Sequence, residues 1–122
     1  MLDEFKVYII NLKQSTERRE SILREINKQN IKSFELIEAV DGNKLNNEEL
    51  NICTFKNKKN YNPWGPKLTY SQIGCALSHI KIYKDFVKSN YEFALILEDD
   101  AIFLENFTTN LQKFILKNLK FK

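Results

Sequence analysis

Cysteine is scarce in this chain of 122 residues. It has two, Cys53 and Cys75, with three glycines, two prolines, one tryptophan and one histidine. Two cysteines are too few for a disulfide scaffold, and their separation fits no metal or redox motif. They read as inert thiols of an intracellular protein, kept reduced. The shortage of glycine and proline excludes collagen-like and linker-dominated sequences. No apolar run approaches the ~18–20 residues that cross a bilayer. The opening MLDEFKVYII carries acids where a secretory signal would be basic, and lacks its small-residue cleavage site. What is present is a chain 43% hydrophobic and 29% charged, a balance that excludes wholesale disorder. Its length suits one domain.

The net charge of +3 is unevenly spread. All 16 acids lie in residues 1–112 beside 15 basic residues, and the final KFILKNLKFK adds four lysines and no acid. A second acid-free basic stretch, Cys53–Lys67, contains Lys56, Lys58, Lys59 and Lys67. The surplus belongs to a tail and a loop, which is weak support for a nucleic-acid partner.

Hydrophobic patterning predicts alternating strands and helices. KVYIINL (6–12) is β-branched and aromatic, as in a buried strand. Hydroxyls at Ser15 and Thr16 suit a helix cap. Thr16–Asn30 then places Ile22, Leu23 and Ile26 on one face among charges, with Asn30 as the stop. SFELIEAV (33–40) reads as a second strand, broken by Asp41-Gly42-Asn43. A short helical turn at Asn46–Leu50 precedes a loop, NKKNYNPWGP (57–66), whose length suggests function. There Trp64 either anchors the loop or stacks on a ligand. Thr69 and Gln72 form a capping box for a helix to Asn90, with Ile73, Leu77, Ile80, Tyr83 and Val87 as its apolar stripe. FALIL (93–97) reads as a strand buried on both faces, and Thr108–Lys120 as a last helix with Leu111, Ile115 and Leu119 on one face. The order predicts an α/β layered domain, with ligands outside the carboxyl ends of the strands.

At that edge FALIL runs into Glu98-Asp99-Asp100. Side chains alternate along an extended segment, so Glu98 and Asp100 are expected on one side and Asp99 on the other. Neighbouring carboxylates repel, and a hard divalent cation with phosphate ligands relieves that. A metal–phosphate site and a solvated turn of capping acids are both consistent with the spacing.

Four blocks in order resemble glycosyltransferase family 25, whose bacterial members build lipopolysaccharide or lipooligosaccharide. They are VYIINL with Thr16-Glu17-Arg18-Arg19, Ala39-Val40-Asp41-Gly42, IGCALSH (73–79), and Leu97-Glu98-Asp99-Asp100. The resemblance implies a Rossmann-like fold of the GT-A type and transfer of a hexose, galactose by preference, from a UDP-sugar to a saccharide acceptor. The acid triplet would be the metal motif, with Glu98 and Asp100 holding Mn²⁺ or Mg²⁺ on the donor's diphosphate. Asn11 and Arg18 would lie near the nucleotide, Asp41 and Gly42 would shape its uracil or ribose pocket, and Ser78 and His79 would support the donor site from behind. Without the resemblance, Arg18 and Arg19 read as solvated helix residues, and His79 as a packed, hydrogen-bonded group beside Cys75, Ile82 and Phe86. Ser71-Gln72 stands where the family commonly has Gly-Glu, so no residue takes that carboxylate's role, and none is assigned as catalytic base.

Two further expectations concern partners. Family members continue well beyond the acid motif, so residues 1–122 are expected to be the donor-binding portion of a larger unit. Such a portion could be a binding module or one half of a split enzyme, without transfer of its own. The tail's Phe114, Ile115, Leu119 and Phe121 among lysines would then await a missing half, with weak attraction to anionic lipid at the cytoplasmic face of the inner membrane. The rival from another class is a helix-turn-helix on TYSQIGCALSHIKIY (69–83). Its glycine falls inside a capped helix between strands, against the usual placement in the turn.

Overall fold

A run of β-branched and aromatic residues makes the central strand. The computed structural model describes residues 4–53 and 68–119, with the backbone alone at 51–53 and 119. Strand β1, Phe5–Asn11, is buried at every position but Lys6. It lies between β2, Glu35–Glu38, and β3, Phe93–Glu98, in a parallel sheet of order β2-β1-β3. The register sets Ile10 opposite Ile37 on one side and Glu98 on the other.

Helix α1, Thr16–Lys28, links β1 to β2; α3, Tyr70–Phe86, precedes β3; and α4, Phe107–Leu119, follows it. A 3-10 turn at Gly42–Lys44 and the short α2, Asn47–Cys53, lie between β2 and α3. The crossover from β1 to β2 and the crossover from β2 to β3 run in opposite directions across the sheet, and right-handed connections then put α1 and α3 on opposite faces. The packing agrees. Val7, Ile9 and Leu97 bury against Ile22 and Ile26 of α1 and Ile115 of α4. Tyr8, Ile10 and Ile37 bury against Ile82 of α3, with Ala94 and Ile96 beside them. Each fully enclosed isoleucine contributes roughly 2 kcal/mol of transfer free energy. This three-layer α/β arrangement is the Rossmann-like class that the sequence predicts.

Element ends follow local chemistry. Asn30, at φ 54°, ends α1 in a left-handed cap, with Ile31 N–H donating to the Ile26 carbonyl and Asn30 N–H to Asn27. The capping box of α3 is present in both directions, Thr69 N–H to Gln72 Oε1 at 2.8 Å and Gln72 N–H to Thr69 Oγ1 at 3.2 Å. Ser15 sits at the N-cap of α1 as expected, but its hydroxyl caps nothing.

Two expectations are corrected. β3 is not enclosed on both faces: Phe93–Ile96 are half-buried and Leu97 alone is buried, because β3 pairs on one side only among the described residues. The apolar stripe of α3 is also displaced. The buried residues are Ile73, Gly74, Ser78 and Ile82, whereas Ile80, Tyr83 and Val87 are exposed. Small residues let the helix approach closely, and a stripe chosen by hydrophobicity misses them. Gly74 lies inside this uninterrupted helix, so the turn of a helix-turn-helix is missing there. The loop at 57–66 with Trp64, the basic stretch 54–67, the Cys53 and Leu119 side chains, and Lys120–Lys122 lie outside the described residues.

Candidate functional site

The strand order reverses at β1, which places a topological switch point between the carboxyl ends of β1 and β3. Alternation along β1 aims Asn11, like Val7 and Ile9, toward α1. There the buried Asn11 amide donates to Asp99 Oδ2 at 2.8 Å and to the Ser15 carbonyl at 3.1 Å. Its oxygen accepts from Arg19 Nε at 2.8 Å. Arg19 also donates to the carbonyls of Leu12 and Lys13, fastening the β1–α1 turn. Arg18 is more exposed and stands 3.6 Å from Asp99 Oδ1. Asn11, Arg18 and Asp99 are therefore brought together. Arg19, which sequence reasoning left as a solvated charge, joins them through Asn11.

Glu98 follows Ala94 and Ile96 on the other face, toward α3. Its Oε1 is 3.6 Å from Cys75 Sγ, and Cys75 Sγ is 3.9 Å from His79 Nδ1. Partial desolvation, then the Glu98 carboxylate, push the Cys75 thiol above its ordinary value. His79 Nδ1 also lies 3.0 Å from the Cys75 carbonyl, and its ring meets Tyr83 edge-on. Asp100 is exposed in the turn closed by Ala101 N–H on the Glu98 carbonyl, with no hydrogen bond or ion pair among the described residues. The strand ends at Glu98, so the alternation that paired Glu98 with Asp100 does not extend through this turn.

Beyond β2, a pocket of about 530 Å³ opens between the carboxyl ends of β1 and β2, with Leu12, Lys13, Gln14, Val40, Asp41 and Lys44 in its wall. Asp41 Oδ1 accepts from Asn43 N–H at 3.0 Å, and its Oδ2 accepts from Gln14 Nε2 at 3.2 Å. Gly42 is buried behind it. A Cβ there would overlap the Tyr70 carbonyl oxygen, and one on Gly74 would come within 2.5 Å of the Val40 carbonyl. The two glycines let α3 and the turn touch backbone to backbone. Ser78 completes the contact, its Oγ accepting from Val40 N–H at 2.9 Å and donating to the Gly74 carbonyl at 2.7 Å.

Sequence reasoning did not find Cys75 as a member of a group. Among the described residues, Cys75, His79 and Glu98 are the cluster of three potential ligands whose atoms lie within 4.8 Å of one another. The signal was there in the i, i+4 spacing of Cys75 and His79 on a helix.

A parallel sheet with a pocket at the carboxyl ends of β1 and β2 and acids at the end of β3 is the arrangement of a Rossmann-like glycosyltransferase domain. The chain belongs to glycosyltransferase family 25: the family described as "Glycosyltransferase family 25 (LPS biosynthesis protein)" matches residues 4–122. It is 34% identical over 112 residues to procollagen galactosyltransferase 2 of Mus musculus, covering 90% of this chain and 18% of that protein. It is 37% identical over 122 residues to the procollagen lysyl hydroxylase and glycosyltransferase of Acanthamoeba polyphaga mimivirus, covering 89% and 13%. A glycosyltransferase 25 family member of Aedes aegypti is 34% identical over 99 residues, covering 80% and 16%. The chain thus spans less than a fifth of the length of these three relatives. Their names speak of procollagen more than of lipopolysaccharide, in contrast to the bacterial emphasis of the resemblance. Among the described residues no helix is long and apolar enough to cross a membrane.

Proposed function

We propose that this chain binds a UDP-sugar, UDP-galactose foremost, and serves transfer of the hexose to a saccharide acceptor. The observation that carries the reading is the placement of the pocket at the ends of β1 and β2 on the same carboxyl edge of the sheet as the acid turn at the end of β3. A cavity of that size suits a nucleoside, within the ~300–1,000 Å³ of small-molecule sites. Asp41 and Gln14 offer polar groups at its wall, and Lys13 and Lys44 offer positive charge for phosphate.

The donor set fits a hard divalent ion such as Mn²⁺ or Mg²⁺, which takes carboxylates and phosphate oxygens. Asp100 is free, and Glu98 shares only a weak thiol hydrogen bond. Asp99 is occupied by Asn11 and Arg18, which makes it a positioning residue for the turn. Glu98 and Asp100 would hold the ion, which when bound stabilises charge developing on the nucleoside diphosphate. For the acceptor, the family description supports a lipopolysaccharide-type saccharide, as the family's bacterial members would use. The galactosyltransferase names of the relatives support galactose as the sugar.

Calorimetry with UDP-galactose, with and without Mn²⁺, on the wild type and Asp100→Ala tests this. Ion-dependent binding is expected in the wild type and should be lost in the variant. Equal, metal-independent binding by both proteins would sink the ion assignment, and no binding by either would sink the donor reading.

A further inference from the structure

On the α3 side of the acid turn sit Cys75, His79 and Glu98, of which Glu98 alone is an ion ligand in the donor reading. Cys75 and His79 are one helical turn apart and share a face of α3. Glu98 reaches them from β3 because it lies on the sheet face that α3 covers. Sulfur to carboxylate is 3.6 Å and sulfur to imidazole nitrogen is 3.9 Å. In a tetrahedral zinc site, with Zn–S of about 2.3 Å and Zn–N or Zn–O of about 2.0–2.2 Å, ligand atoms stand roughly 3.6 Å apart. Both sulfur edges are thus close to those of such a tetrahedron, and all three ligand atoms lie within 4.8 Å of one another.

We propose that Cys75, His79 and Glu98 form a three-ligand site for a thiophilic divalent cation of the Zn²⁺ type, with water as fourth ligand. The donor chemistry makes the choice: thiolate and imidazole suit zinc, whereas Mn²⁺ and Mg²⁺ prefer an all-oxygen shell. Cys75 and Glu98 are exposed, so the cation has an entry path and an open coordination position. Binding takes the thiol proton into solution and exchanges the thiol–carboxylate hydrogen bond for two metal bonds. His79 contributes as the neutral imidazole, with Nδ1 turning from the Cys75 carbonyl to the metal and the proton carried on Nε2.

Co²⁺ is the probe, added to the full 122-residue chain under reducing conditions without nucleotide. One equivalent is expected to give a thiolate-to-cobalt charge-transfer band and tetrahedral visible bands, both bleached by Zn²⁺. Cys75→Ser should abolish the charge-transfer band with an unchanged circular dichroism spectrum, whereas Cys53→Ser should keep it. His79→Ala should weaken Zn²⁺ binding at least as much as the roughly 10–100-fold that follows loss of an outer-shell partner. A band that disappears with Cys53, or no band at saturating Co²⁺, would overturn the proposal. Asp100→Ala should retain the band, so failure of the donor reading and failure of this site are separate results.

Discussion

The two sides of the acid turn are built by different means. On the α1 side the order is made by side chains: Asn11, Asp99, Arg18 and Arg19 form a polar clasp around the end of β1. On the α3 side it is made by backbone, where Gly42 and Gly74 allow contact that no side chain could enter. A clasp of side chains uses up the carboxylate that it holds. A contact of backbones leaves Cys75, His79 and Glu98 with lighter engagements. The same triplet therefore contains one acid committed to architecture and two available for ligands.

The largest test of this contrast is Gly42→Ala. Its methyl group would overlap the Tyr70 carbonyl, and the separation of α3 from the turn is expected to lower stability by about 3 kcal/mol. A urea midpoint unchanged from the wild type would show that the backbone contact is dispensable. Next comes the pair of single changes Asp99→Ala and Asp100→Ala. The first leaves one N–H of the buried Asn11 amide unpaired and is expected to cost about 2 kcal/mol. The second should stay within about 0.5 kcal/mol, as for an exposed side chain with no partner. Equal losses would erase the distinction between the two acids.

The smallest effect lies at the other end of α3, where Asp85 accepts from Lys6 Nζ and from Tyr8 Oη, both at 2.6 Å. Lys6, then Tyr8, hold the Asp85 carboxyl below its usual range, and Asp85 raises the Lys6 ammonium. A depressed carboxyl stabilises the fold above its ordinary pKa and ceases to do so as pH falls through its folded value. A raised ammonium stabilises below its own ordinary pKa. The network is therefore fully present between about pH 4 and about pH 10. Thermal melting of the wild type and Asp85→Asn should differ slightly near neutrality and converge in acid. A difference that persists unchanged below the folded carboxyl's titration would assign it to packing instead.

Much of this frame was legible in the chain. The β-branched run gave β1 to within a residue, and Thr69 with Gln72 located the start of α3, because those signals are local. The family blocks pointed to the acid turn. What was not legible depended on neighbours distant in sequence. FALIL has the composition of a strand covered on both faces, yet its exposure is set by its place at the side of β1. Gly74 and Ser78 look like interruptions of an apolar stripe until the turn at Gly42 is seen against them. Arg19 resembles Arg18 in sequence, and only the direction of Asn11 separates their roles.

The clasp has a consequence for the order of assembly. Asn11 and Asp99 are 88 positions apart, and β1 meets β3 across a similar separation. Contacts of that span are entropically costly to close and slow the chains that depend on them. Helix α1 and its cap can form from nearby residues, whereas the polar clasp and the thiol–carboxylate neighbourhood require β3 in register. Both halves of the acid turn thus depend on β3 being in register, and any opening that releases β3 removes them together.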